Sequence, residues 1–191
     1  MRYDHVLEFV NIPMICTERL MLRRIKKSDL NDVYEYSRDP RVSEYLMWHP
    51  HDALADTRRY LKSVDKKYRN AEFYTWGIEY KGKMIGTVGF NCFSLEHGTA
   101  EVGYVLNADY WGRGIATEAL SRILEYAFDY LALNRVEIKY MRENSASLAV
   151  AERCGFTYEG TMREAVYVKG RYRDIGIAAI TVSDYRKKTN T

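Results

Sequence analysis

A change of hydrophobic period in the middle of the chain constrains the fold more than any other feature. The chain takes up a period of two at Phe73 to Tyr80, with Tyr74, Trp76, Ile78 and Tyr80 on one face. Lys81-Gly82 is a turn, Met84 to Phe93 reads as a second strand and Ala100 to Leu106 as a third. Strands this close, joined by short turns, imply an antiparallel meander. From Ile115 to Leu131 the period changes to that of a helix, with Ala116, Ala119, Leu120, Ile123, Leu124, Ala127 and Leu131 on one stripe. Between the two regimes lies Gly112-Arg113-Gly114.

The flanks extend this pattern. Residues 1 to about 17 read as a leader that packs late or stays loose. Leu20 to Ile25 predicts a first strand, Ser28-Asp29 starts a helix, and Asp52 to Arg69 carries Leu54, Leu61, Val64 and Tyr68 at helical spacing. Downstream come a strand from Arg135 to Tyr140 and a helix from Ser145 to Arg153 stopped by Gly155. Two strands follow near Phe156 to Glu164 and Tyr172 to Thr181, turning at Lys169-Gly170. The order predicts a mixed, mostly antiparallel central sheet flanked by helices, in the α/β (α+β) class. With no linker, repeat or low-complexity stretch, residues 1–191 read as a single domain.

Composition excludes several function classes. The net charge is +3 and the basic residues are scattered, so a nucleic-acid partner is not expected. The three cysteines, Cys16, Cys92 and Cys154, are widely spaced and form no Cys-x-x-Cys pair, which argues against a disulfide framework or zinc ribbon. His49-Pro50-His51 lacks a third ligand of the right kind, and no metal is expected. The N-terminal stretch carries charges throughout, so no signal peptide, no membrane span and a cytoplasmic location are expected.

The stretch Tyr110-Trp111-Gly112-Arg113-Gly114-Ile115-Ala116-Thr117-Glu118-Ala119 joins a strand to the long helix. A glycine turn lets backbone approach a ligand closely, and a helix N-terminus offers unpaired N–H groups with partial positive charge. Together they suit a pyrophosphate. Trp111 to Ala119 resembles the acetyl-coenzyme A motif of the GNAT superfamily, Gln/Arg-x-x-Gly-x-Gly/Ala. Gly114 and Ala116 match its last two positions, while Trp111 stands in the Gln/Arg position, a departure familiar in the branch of ribosomal-protein N-terminal acetyltransferases. Ala100 to Leu106 resembles the family strand that splays from its neighbour and pairs with the pantetheine arm. Asn144-Ser145-Ala146-Ser147 with Gly155-Phe156 resembles the family's Asn-x-x-Ser and Gly-Phe signature, and the likeness runs from Thr17-Glu18-Arg19-Leu20 through Asp174.

The resemblance implies an acetyl-coenzyme A-dependent N-acetyltransferase acting on a primary amine; the oligomeric state stays open between a monomer and a homodimer. It implies that Tyr104, Val105, Leu106, Gly112, Arg113, Gly114, Ile115, Ala116, Thr117, Asn144 and Ser147 hold the cofactor. The chemistry needs an amine deprotonated, a carbonyl polarised and a thiolate protonated. Glu101, the lone carboxylate of its strand, is the candidate base, and an apolar strand would raise its pKa. Ser147 is the candidate acid, with Tyr140, Tyr158 and Tyr167 as competitors, and a backbone N–H near Tyr104 to Leu106 the candidate carbonyl donor. Arg41, Tyr45, Trp48 and His49 fall where related enzymes place acceptor loops, and Glu164, Tyr172 and Asp174 are candidates for the same side.

The acceptor stays open between a ribosomal-protein N-terminus and a small amine such as a polyamine, amino acid or antibiotic. An α-amine costs about 1 kcal/mol to deprotonate at neutral pH and a lysine nearer ~5, which leans toward N-termini or small amines. A nucleotide-binding oxidoreductase is disfavoured, because Thr117 replaces the third glycine and no second βαβ half follows. A silent acetyl-coenzyme A sensor is the third reading, against which Glu101 and Ser147 both argue.

Overall fold

The computed structural model describes residues 12–70, 74–94 and 96–189. Among these residues eight strands form one sheet in the order β1-β2-β3-β4-β5-β6-β8-β7. They are β1 (Ile15–Cys16), β2 (Leu20–Arg23), β3 (Tyr74–Tyr80), β4 (Lys83–Ser94), β5 (Thr99–Leu106), β6 (Arg135–Met141), β7 (Thr157–Val168) and β8 (Arg171–Thr181). Every neighbouring pair is antiparallel except β5 with β6. A parallel pair needs a crossover, and α4 (Ile115–Glu125) supplies it.

Among the described residues six α-helices accompany the sheet: α1 (Leu30–Ser37), α2 (Pro40–Ser43), α3 (Leu54–Arg69), α4, α5 (Ser145–Cys154) and α6 (Val182–Thr189). The period-two pattern divides β3, β4 and β5 into two faces. Trp76, Val88, Val102 and Leu106 lie on the face that meets α4. Ala119, Leu120, Ile123 and Leu124 of α4 are almost wholly buried against it, as the helical stripe predicts; Ile115, outside that stripe, is buried with them, and Ala116, placed on it, is only half-buried. α1 and α3 pack together, Val33, Leu61 and Val64 being buried.

The structure differs from the sequence expectation at several elements. Part of the stretch read as a leader is built into the fold, since Ile12 and Ile15 are buried and β1 pairs with β2; residues 1–11 lie outside the described residues. The first predicted helix becomes a 3-10 turn at Lys27–Asp29 followed by α1, because Asp29 bonds back to the Lys26 amide and to Arg23. The helix expected to run to Leu131 turns π-helical at Tyr126–Tyr130, its end closed by the Leu131 amide on the Tyr126 carbonyl. Leu54, placed on the apolar face of α3, is exposed, and Thr57 is buried instead. The predicted strand's first residue, Phe73, lies outside the described residues. β7 runs four residues beyond Glu164, and α2 and α6 are additional to the predicted order.

Candidate active site

The register of β5 and β6 opens a cleft. Pairing runs from Thr99↔Arg135 to Val102↔Ile138 and stops, although β5 continues to Leu106 and β6 to Met141. On its other side β5 stays paired with β4 as far as Gly86↔Leu106. The last four residues of β5 therefore present one backbone edge without a strand partner, and unmatched N–H and C=O groups call for a ligand or water.

A cavity of about 670 Å³ occupies the opening, within the range of small-molecule sites. Tyr104, Val105 and Leu106 form one wall, and Gly112, Gly114, Ile115, Ala116 and Thr117 another. Asn144 and Ser147 form a third, and Arg41, Glu44 and Tyr45 lie across from them. Ten of the eleven residues expected to hold the cofactor thus meet in one space. The eleventh, Arg113, contributes only backbone to the turn. Its guanidinium folds back to donate to the Asp109 carbonyl (2.7 Å) and lies over the Tyr110 ring.

The turn is built to expose amides. Gly112 and Gly114 both take left-handed φ, +73° and +74°, and Gly114 is the N-cap of α4. A latch from the N-terminal segment holds it. Arg19 donates to the Arg113 carbonyl (3.0 Å) and to Glu118 Oε2 (2.6 Å), and the Thr17 hydroxyl donates to Glu118 Oε1. Burial raises the Glu118 carboxyl, but the bonds from Thr17 and Arg19 outweigh it and hold the group below the usual carboxylate value. The latch left no trace in the sequence beyond the Thr17-Glu18-Arg19-Leu20 resemblance. Trp111, in the motif's Gln/Arg position, keeps a polar contact: its indole N–H donates to the Leu106 carbonyl (2.9 Å), tying the turn to the end of β5.

Asn144 caps α5, its Oδ1 accepting from the Ser147 amide at 3.0 Å. The Ser147 hydroxyl lies 3.0 Å from that of Tyr104. The competing tyrosines are elsewhere. Tyr140 is buried in the sheet, Tyr158 bonds Thr161, and Tyr167 packs edge-on against Tyr172 in an exposed pair. None of the three lines the cavity.

Glu101 points to the other face of the sheet. It lies level with Glu137 across the parallel rung, and its carboxylate accepts from Lys139 Nζ (2.9 Å) and Asn91 Nδ2 (3.2 Å). The surroundings are therefore charged, not the apolar ones expected from the strand's composition. The cause is the tertiary partner: Lys139 alternates out of β6 onto the face that Glu101 occupies.

Of the acceptor-side candidates, Arg41 and Tyr45 line the cavity. Trp48 packs on His51, whose Nδ1 is bonded to Thr57 (2.8 Å), and burial lowers the His51 pKa. His49 does not reach the cavity. Glu164 and Asp174 bond each other across the β7–β8 hairpin, and with Tyr172 they lie outside the cavity lining. The hairpin still touches the site indirectly, because Lys169 donates to the Ser43 carbonyl at the end of α2. Among the described residues no three His, Cys, Asp or Glu side chains converge as metal ligands, and no helix is long and apolar enough to cross a membrane.

The splayed strand pair thus opens onto a glycine turn and a helix N-terminus, an arrangement whose free backbone amides suit an anionic ligand. The chain belongs to the acetyltransferase (GNAT) domain family, which matches residues 19–157. It is 32% identical to the uncharacterized N-acetyltransferase p20 of Bacillus licheniformis over 88% of this chain and 96% of that protein. It is 25% identical to the spermidine N(1)-acetyltransferase of Vibrio cholerae, over 90% and 98% of the two chains. Its fold is similar to that of RimL, a ribosomal L7/L12 alpha-N-protein acetyltransferase solved with coenzyme A, with TM-score 0.77, 26% identity and 90% and 98% coverage. Coenzyme A is thus a ligand of a close structural relative.

Proposed function

We propose that this acetyltransferase moves the acetyl group of acetyl-coenzyme A onto a primary amine, with the α-amine of a protein N-terminus as the favoured acceptor. The observation that carries the cofactor half is the end of β5–β6 pairing at Val102↔Ile138, beside the turn at Gly112 and Gly114. The pantetheine arm would pair with the free edge of β5, and the pyrophosphate would sit on the amides opening α4. The Asn144 carboxamide has its oxygen committed to the cap, leaving its NH₂ to donate to the arm.

Glu101 is the proposed base, acting through water. A carboxylate is a weak base, so an amine that is easily deprotonated suits it better than lysine. The likeness to RimL supports the same choice. Ser147 is the proposed acid for the departing thiolate. A polyamine is the second reading, favoured by the way Glu101 and Glu137 jointly hold one ammonium, that of Lys139, and by the likeness to a spermidine acetyltransferase.

The test is thiol release from acetyl-coenzyme A with Ala- and Ser-initiated peptides, N-terminally blocked lysine peptides and spermidine. Release with the free-N-terminus peptides alone supports the first reading, and release with spermidine alone the second. Absence of acetyl-coenzyme A binding overturns both.

A further inference from the structure

Tyr104 and Ser147 stand on different elements and meet at the cavity wall. Tyr104 lies on β5 beyond the last β5–β6 rung, and Ser147 lies in the first turn of α5. The Tyr104 hydroxyl is 3.0 Å from the Ser147 carbonyl oxygen and 3.0 Å from the Ser147 hydroxyl. A carbonyl only accepts, so when Tyr104 gives its single proton there, Ser147 is the donor to the phenol oxygen. In that arrangement the serine proton is engaged and not offered to a thiolate. Rotation about two C–O bonds, with no heavy atom moving, reverses the pair: Tyr104 donates to Ser147 Oγ and the serine proton is released. Burial pushes the phenol up to about 12, so it stays protonated at neutral pH. An aliphatic hydroxyl is a weaker acid than a phenol, which makes Ser147 a poor terminal proton source when it acts alone.

We propose that Tyr104 is a positioning residue that turns the Ser147 hydroxyl toward the departing sulfur and replaces the proton Ser147 gives up. This rests on the reading of Ser147 as the acid. As the amine nitrogen bonds the acetyl carbon, the C–S bond breaks and its electron pair, on sulfur, takes the Ser147 proton. Ser147 Oγ takes the Tyr104 proton; the proton that the amine lost passes through water to Glu101, which returns it to solvent as the phenol oxygen takes one back from cleft water. One C–N bond forms, one C–S bond breaks, and the net proton passes from amine to thiol.

The test compares Tyr104→Phe, Ser147→Ala and the double variant in the full chain, using the amine that supports fastest thiol release in the panel above. The relay predicts that Tyr104→Phe lowers kcat about tenfold or more, with acetyl-coenzyme A affinity unchanged. It also predicts a double variant no slower than Ser147→Ala alone, because the two residues act as one unit. Wild-type kcat in Tyr104→Phe, or losses that multiply in the double variant, overturns it. So does a loss matched by weaker acetyl-coenzyme A binding, which makes Tyr104 only part of the wall. If Ser147→Ala is slow and Tyr104→Phe is not, the relay alone falls. If Ser147→Ala turns over at the wild-type rate, the acid assignment falls with it. Absence of release from every amine with the wild-type protein overturns the proposed function itself.

Discussion

Lys139 Nζ lies 2.9 Å from Glu101 Oε2, across the sheet level at which β5 and β6 part. The cavity that would hold the cofactor opens beyond this level, while Glu101 projects from the opposite face of the same strand. A base on one face and a thioester threaded through the gap would let the amine approach without crossing the cofactor. Glu101→Gln keeps the shape and the bond from Lys139 but removes the negative charge. Its expected effect is a fall of kcat by about 10²-fold or more, with acetyl-coenzyme A affinity within about twofold. Steady-state kinetics beside calorimetric titration checks both numbers, and an unchanged kcat removes Glu101 from the mechanism.

The Arg19–Glu118 latch holds the turn that would take the pyrophosphate. Arg19→Ala frees the Arg113 carbonyl and leaves Glu118 with the Thr17 hydroxyl and the residue-19 amide but without the guanidinium, so the turn loosens without losing a cofactor contact. Acetyl-coenzyme A affinity is expected to weaken about tenfold, equivalent to ~1.4 kcal/mol, while kcat at saturation is kept. Affinity equal to wild type would make the latch dispensable.

The same pair sets a pH dependence. The Glu118 carboxyl is held below its usual value of 4.5 in the folded chain, by hydrogen bonds from Thr17 and Arg19 that outweigh its burial. A depressed folded pKa contributes stability above the unfolded value and loses it as pH falls through the folded one. Wild type is therefore expected to exceed Glu118→Gln in melting midpoint at pH 7. The gap should close below pH 4.5, and a gap that widens on acidification would contradict the assignment.

Much of this was legible in the sequence because short-range physics writes it there. The meander and α4 carry their periods openly, and Gly112 and Gly114 announce both the turn and the helix start. The elements that escaped are those with no period to read. β1 has two residues and α2 has four, although Asp39-Pro40 is a helix-start signal that could have revealed the latter. α6 is polar along its length and is fixed by tertiary contacts: Tyr185 stacks on Phe128 and Lys188 bonds the Arg153 carbonyl. At the site, the residue types were readable and their partners were not. Lys139 reaches Glu101 only because β6 lies beside β5, and Tyr104 meets Ser147 only because α5 crosses the end of the splay.

Gly114 shows how a backbone requirement and a ligand requirement coincide. Its φ of +74° lies in the left-handed region, where a Cβ costs about 1–2 kcal/mol. A Cβ there would also meet Arg19 Nη2 at 3.5 Å, an ordinary contact, so sterics with the latch are not the problem. Gly114→Ala is thus expected to destabilise the fold by about 1 kcal/mol and to weaken acetyl-coenzyme A more than it weakens the fold. The excess arises because the N-cap amide geometry shifts with φ. Thermal melts with and without acetyl-coenzyme A separate the two effects, and equal losses in both would make the glycine purely structural.

Asn144 carries two separable duties in one carboxamide. Its oxygen caps α5 by accepting from the Ser147 amide, and its NH₂ is the proposed donor to the pantetheine arm. Asn144→Asp keeps the capping oxygen, adds a charge that favours a helix N-terminus, and removes the donor. Asn144→Ala removes both. If the residue is only a cap, Asp should match wild type in stability and in acetyl-coenzyme A affinity, while Ala costs about 1 kcal/mol of stability. If the NH₂ holds the arm, Asp should keep the stability and still weaken acetyl-coenzyme A at least as much as Ala does, because a carboxylate would then face the arm's carbonyl. The order of the two variants in melting midpoint and their order in affinity are then opposite, which no purely structural role of Asn144 reproduces.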